Sequence, residues 1–258
     1  SFSADVRVAT VGWVVLAFSA ARFAAMGFNR IADREYDARN PRTAMRELPT
    51  GAMSVREASM AVIVSAVLFV LAAWMINPIC FALSPIALVW VFFYSYTKRF
   101  TRWSHLVLGL GLGIAPVGGY LAVTGSWSEP WWMLIALAGA VMTWTAGFDI
   151  IYSIQDVDID RAEGLHSLPS RIGRERALSV ARGLHVLTAL GIASVGFAMH
   201  AGRYYYTGAI LAAIALAYEH ALVRKGNLQK AFFVVNMALS TVFLIFVVLE
   251  RAFPPVPR

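Results

Sequence analysis

Charged and apolar positions fall in long separate blocks along this chain. The 40 positions from 58 to 97 carry no formal charge, 103–148 carry only Glu129, and 231–249 carry none. A helix needs roughly 20 mainly apolar residues to cross a bilayer, so a charge-free block of about 40 reads as two spans joined by a short turn. The pattern predicts eight spans, at 8–31, 55–76, 78–97, 104–124, 130–154, 175–199, 204–223 and 229–250. Asn77-Pro78, the stretch Gly125 to Pro130, and Gly202-Arg203 supply tight breaks between them. The alternate breaks, 32–54, 98–103, 155–174 and 224–228, are mostly longer and polar. The expected fold class is all-α: a polytopic transmembrane helix bundle in one domain over 1–258, built of hairpins with tight turns on one side and working loops on the other.

Composition agrees. Hydrophobic residues make up 59% of the 258 and charged residues 14%, against about 45–50% and about 25% in soluble domains. The apolar signal recurs along the whole chain, which argues against a signal peptide as its source. The net charge of +7 raises the question of nucleic acid, and the placement of the charges answers it with topology. Fifteen basic residues flank the polar breaks: Arg34, Arg39, Arg42, Arg46, Arg56, Lys98, Arg99, Arg102, Arg161, Arg171, Arg174, Arg176, Arg224, Lys225 and Lys230. The other side has Arg7, Arg203, Arg251 and Arg258. Positive loops stay in the cytoplasm, so a cell-membrane protein with cytoplasmic working loops is expected, its partner the lipid bilayer and not nucleic acid. The tail Pro254-Pro255-Val256-Pro257 is expected to fray.

The end of the first span brings oxygen ligands onto one helical face. Asn29, Asp33 and Asp37 are spaced by four, so they form a stripe. Arg22 shares that face seven residues earlier, and a charge within a span calls for a polar cavity or a partner. The end of the fifth span repeats the device: Asp149, Asp156 and Asp160 are spaced by seven and four, while Asp158 points elsewhere. Carboxylates and an amide suit Mg²⁺, which commonly bridges to substrate phosphates. No His/Cys cluster accompanies them, so the set does not suit zinc. Each stripe leads into a basic loop containing Leu-Pro and a glycine, 39–51 and 161–173, which suggests two related half-sites facing one cavity. Arginines there can bind phosphate oxygens bidentately, and Lys98 can add a further cation. Span four holds Gly109, Gly111, Gly113, Gly118 and Gly119. Close helix packing is the plainer reading of these and room for a lipid tail the functional one.

The run from Asn29 through Gly51 resembles the Asn-x3-Asp-x3-Asp motif and following Arg-Thr, Arg and Leu-Pro of the UbiA-type membrane prenyltransferases. Asp156 to Asp160 is similar to that family's second acidic motif, and Tyr94 to Arg99 to its Tyr-x3-Lys-Arg element. The likeness covers nearly the whole chain, and Asn29 to Pro49 looks closest to the 4-hydroxybenzoate and menaquinone-pathway enzymes. Three departures stand out: Arg30 follows the motif asparagine where many members have Asp, His166 stands where many have Lys, and the family has nine helices around its cavity. One N-terminal family helix is thus expected to be absent from this chain.

The resemblance implies Mg²⁺-dependent transfer of a prenyl group from a prenyl diphosphate to an aromatic acceptor such as 4-hydroxybenzoate, in quinone biosynthesis. Asn29, Asp33, Asp37, Asp156 and Asp160 would hold two Mg²⁺ ions. Arg42, Arg46, Lys98 and Arg171 would contact the diphosphate. Arg22, Tyr120 and Asp149 are expected nearer the acceptor or the carbocation, and Tyr152 joins the substrate-binding set. Three readings compete: transfer to a lipid acceptor, as in archaeal ether lipids; a cation-coupled transporter; and a structural or assembly protein. Transporters place their acids near the midplane, whereas the acids here gather at one face with only Asp149 deeper. A structural protein would need none of these motifs.

Overall fold

The computed structural model describes residues 8–253, so Arg7, Arg258 and the proline tail lie outside the described residues. Among these, all regular structure is helical, and eight helices are long and apolar enough to cross a membrane. The chain is therefore a multi-pass membrane protein. The long helices are α1 (Val8–Arg39), α2 (Val55–Ile76), α3 (Pro78–Thr97), α4 (Ser104–Thr124), α5 (Met133–Ser153), α8 (Arg174–Ala198), α9 (Arg203–Arg224) and α10 (Asn236–Ala252). Between α5 and α8 lie two short helices, α6 (Val157–Ala162) and α7 (Leu168–Ile172).

The span boundaries read from hydropathy differ most from the helices in three places. Position 31 ends the apolar run, but α1 continues to Arg39, because backbone geometry and not polarity ends a helix. Pro41 biases Asn40 away from helical geometry. The polar break at 155–174 contains α6 and α7. The last span opens with a π-helical turn, Lys230–Val235.

The chain gathers into two compact units. The first comprises Ser1–Ser104, Ile114–Trp127 and Ile159–His166. In it α1 packs on α2 through small residues: Ala17, Ala20 and Ala24 are buried, and a Cβ on Gly27 would lie 2.8 Å from Val62 Cγ2. Small side chains let membrane helices approach closely, where dispersion and not hydrophobicity holds them. Ser54 and Glu57 form a capping box that starts α2. Asn77 makes the tight break work: its oxygen accepts from the Cys80 N–H at 2.8 Å and its amide donates to the Leu121 carbonyl at 2.9 Å.

The second unit comprises His105–Gly113, Ser128–Asp158 and Ser167–Arg258. Here the glycines of α4 divide between the two readings. A Cβ on Gly113 would lie 2.6 Å from the Ala138 carbonyl oxygen, and one on Gly109 would strike the Met142 carbonyl, so both serve close packing on α5. Gly118, in the first unit, has open space around its Cβ direction. Where α9 begins, the backbone N–H groups of Gly202 and Tyr205 donate to the carboxylate of Glu250 near the end of α10, which caps the positive end of α9.

A polar chain crosses this second unit. Trp144 Nε1 donates to Asn236 Oδ1 at 2.7 Å, and Asn236 Nδ2 donates to Glu219 Oε1 at 3.0 Å and to the Phe232 carbonyl at 2.9 Å. His185 lies 3.7 Å from Glu219 and 3.0 Å from His220. Glu219, five residues before the end of α9, is fully buried. Asn236→Leu removes the partner of both Trp144 and Glu219. It should cost about 1–3 kcal/mol, the penalty for leaving buried polar groups unpaired, readable as a lowered unfolding temperature in detergent. A variant as stable as the parent would show that the chain carries no stabilising energy.

Candidate active site

The long continuation of α1 past its apolar run carries the first acidic stripe. In the first unit Asn29 Nδ2 donates to Asp33 Oδ2 at 2.9 Å and reaches Ser95 Oγ on α3 at 3.4 Å. The amide oxygen of Asn29 is spent on neither bond. One turn later Asp37, 7% exposed, receives both oxygens' bonds from a single Arg46 nitrogen at 2.8 and 2.7 Å. The loop after α1 therefore folds back so that its own arginine meets the helix that precedes it. Thr43 Oγ1 secures the fold by donating to the Asp37 carbonyl at 3.1 Å.

The end of α3 adds the next two cations. Lys98 Nζ lies 2.8 Å from Asp160 Oδ1. Arg99 lies 3.6 Å from Asp33, donates to the Ala32 carbonyl at 2.7 Å, and stands over the rings of Tyr36 and Tyr96 at 5.3 and 4.8 Å. Asp160 reaches this place because α6 ends in a reversal. Gly164, at φ 68°, donates its N–H to the Arg161 carbonyl, and Leu165 donates to that of Asp160. This paired pattern closes a helix end at a left-handed glycine. It turns the chain so that the His166 N–H meets the Lys98 carbonyl at 2.7 Å. Arg39 and Glu163, 2.6 Å apart, brace the same loop.

Asp33, Asp37 and Asp160 thus share one compact unit, and each lies beside a cation. Three buried polar atoms there have no hydrogen-bond partner among the described residues: Asp160 Oδ2, Arg99 Nε and His166 Nδ1. Orphaned buried groups are rare and call for an ion or a ligand. Among the described residues no three His, Cys, Asp or Glu side chains form a ready metal cage. The oxygen donors present, the carboxylates of Asp33, Asp37 and Asp160 and the amide of Asn29, are of the kind Mg²⁺ takes, with waters and substrate phosphates completing its shell.

The second stripe is less regular than its spacing implies. A 3₁₀ turn, Ile154–Asp156, interrupts the helix between Asp149 and Asp156. Tighter winding adds about 20° per residue, roughly 60° in all, so the two acids are offset around the axis. Asp156 is 8% exposed and Asp160 2%, whereas Asp158 is exposed. The separation of Asp158 from its neighbours therefore survives the irregularity. Arg42, Arg171 and Arg22 are exposed, and Tyr120 is partly buried. Tyr152 rests on Phe232 at 4.2 Å between ring centroids, in the second unit.

His105 is a partner of Asp149 that the spacing of acids gives no hint of. It is the second residue of α4, 3% exposed. Its Nδ1 lies 2.6 Å from Asp149 Oδ2 and its Nε2 lies 3.2 Å from the Leu168 N–H. The one available signal was a histidine at the head of an otherwise apolar span.

The model of the UbiA prenyltransferase family matches residues 2–244. A 4-hydroxybenzoate octaprenyltransferase from Edwardsiella ictaluri is 31% identical over 79% of this chain and 70% of that protein. The apo structure of a UbiA homologue from Aeropyrum pernix K1 superposes with a TM-score of 0.89 at 30% identity, over 95% of this chain and 91% of that one. A UbiA homologue from Archaeoglobus fulgidus bound to GPP and Mg²⁺ shares the fold, with a TM-score of 0.68 at 22% identity over 96% and 88%.

Proposed function

We propose that this chain, which belongs to the UbiA prenyltransferase family, transfers a prenyl group from a prenyl diphosphate to an aromatic acceptor of the 4-hydroxybenzoate type, with Mg²⁺, in quinone biosynthesis. It is a membrane prenyltransferase, which sets aside the transport and structural readings. The aromatic acceptor rests on the likeness to the 4-hydroxybenzoate octaprenyltransferase, and Mg²⁺ on the donor set together with the GPP- and Mg²⁺-bound homologue.

One observation carries the reading: Asp33, Asp37 and Asp160 stand in one unit beside Arg99, Arg46 and Lys98. Acids alone would repel a diphosphate, and cations alone would need no acids. Together they fit a metal-bound diphosphate. Asn29, Asp33, Asp37, Asp156 and Asp160 would hold the cations, and Mg²⁺ bound there would neutralise the charge that develops on the diphosphate as the allylic C–O bond breaks. Arg46 and Lys98 then have a second partner in the diphosphate oxygens, joined by Arg42 and Arg171. Arg22, Tyr120, Asp149 and Tyr152 belong to the acceptor and prenyl side. The basic loops that carry this chemistry face the cytoplasm.

The test is direct. Purified protein is incubated with labelled prenyl diphosphates of several lengths, Mg²⁺, and a panel of aromatic and lipid-alcohol acceptors. A prenylated phenolic acid is the expected product. Product on the lipid alcohols alone would move the acceptor assignment to the ether-lipid type, and no transfer to any acceptor would overturn the reading.

A further inference from the structure

We propose that His105 is a positioning residue that acts through Asp149: it holds one carboxylate oxygen so that the other takes the proton the acceptor loses on prenylation. The inference rests on the transfer reaction proposed above. Its geometry lies wholly in the second unit. The Leu168 N–H points at His105 Nε2 at 3.2 Å, so that nitrogen is an acceptor and carries no hydrogen. A neutral imidazole has one ring N–H, which therefore sits on Nδ1 and is donated to Asp149 Oδ2 at 2.6 Å. The backbone of α7 thus fixes the tautomer, and the tautomer orients the acid, as a second group commonly does for a working histidine or carboxylate.

The two partners differ in access. The His105 side chain is 4% exposed and that of Asp149 23%. The histidine is too enclosed to meet a substrate, while the aspartate is open on one side. His105 can reach the chemistry only through Asp149.

The allylic C–O bond breaks and its electron pair leaves with diphosphate. A ring carbon of the phenolic acceptor supplies the pair for the new C–C bond. The ring then sheds one proton, which the Asp149 carboxylate accepts. No oxidant or further reactant is required.

Three variants test this with geranyl diphosphate, Mg²⁺ and 4-hydroxybenzoate as probes. Asp149→Asn and His105→Phe should each lower kcat about 100-fold, the low end for loss of a proton acceptor, with the KM for geranyl diphosphate within about threefold of wild type. The double variant should be no slower than the slower single one, because the two residues act as a unit. His105→Asn, whose amide can still donate to Asp149, should recover to within about tenfold of wild type. A merely structural role predicts otherwise: displacing α7 and its Arg171 would raise the KM for the diphosphate in step with the fall in kcat. That result would overturn the proposal. So would full kcat in Asp149→Asn, which is near-isosteric and answers the question even if His105→Phe does not fold. A wild type that prenylates only a lipid alcohol would overturn the aromatic assignment alone. The same variants would then be read on that acceptor, since an alcohol oxygen also loses its proton. A wild type inert toward every acceptor would overturn both.

Discussion

Asp33→Ala, Asp156→Ala and Asp160→Ala are each expected to cut turnover about 100- to 1000-fold, the usual cost of deleting one group that stabilises developing charge. Asp158→Ala is expected to stay within about threefold, as surface substitutions away from such features generally do. The contrast follows from burial. Asp156 and Asp160 are 8% and 2% exposed, and Asp160 Oδ2 has no hydrogen-bond partner among the described residues. Asp158, between them in sequence, is exposed. Loss of Asp160 also releases Lys98 from its 2.8 Å contact, so the cation would lose its position as well as its neutralising partner. Product formation gives the rates, and far-UV circular dichroism shows whether the helices persist. Equal sensitivity at Asp158 would mean that the loop needs negative charge in general and not carboxylates at set places.

Removal of divalent cations should lower turnover more than about 100-fold, since metal neutralisation of a leaving group is worth several kcal/mol, and added Mg²⁺ should restore it. The fold should survive the chelator. Arg46 pairs with Asp37 and Lys98 with Asp160, so the acids keep partners of opposite charge when the cation is removed. The measurement is a titration of activity with Mg²⁺ after exhaustive chelation, with circular dichroism in parallel. Full turnover in excess chelator would remove the metal from the mechanism and leave the arginines and Lys98 to neutralise the diphosphate alone.

The span pattern was legible because a bilayer imposes a length on every apolar run. The ends of α2, α3 and α4 coincide with those read from hydropathy. The first stripe was legible for the same kind of reason: a four-residue spacing on a continuous helix fixes a face, and α1 is continuous through Asp37. In the second stripe Asp156 and Asp160 are buried and Asp158 is exposed, but the 3₁₀ turn at Ile154–Asp156 breaks the continuous helix that the spacing of seven and four assumes. A three-residue change of winding has no hydropathic signature.

Glu219 and His220 stood in plain view within an apolar span, and their cost in a membrane was reason enough to seek partners. Their partners, Asn236 and His185, lie 17 and 35 residues away, and Trp144, which bonds to Asn236, lies 92 from it; no local periodicity relates them. The sequence by itself determined the spans, the acids at their ends and the sign of the loops, because each depends on local composition and helical repeat. The tertiary structure alone decided that Asp160 meets Lys98 across the reversal at Gly164, and that His105 joins Asp149 to α7. Those contacts are set by where chain segments return to one another, and elements far apart in sequence carry no record of that in their spacing.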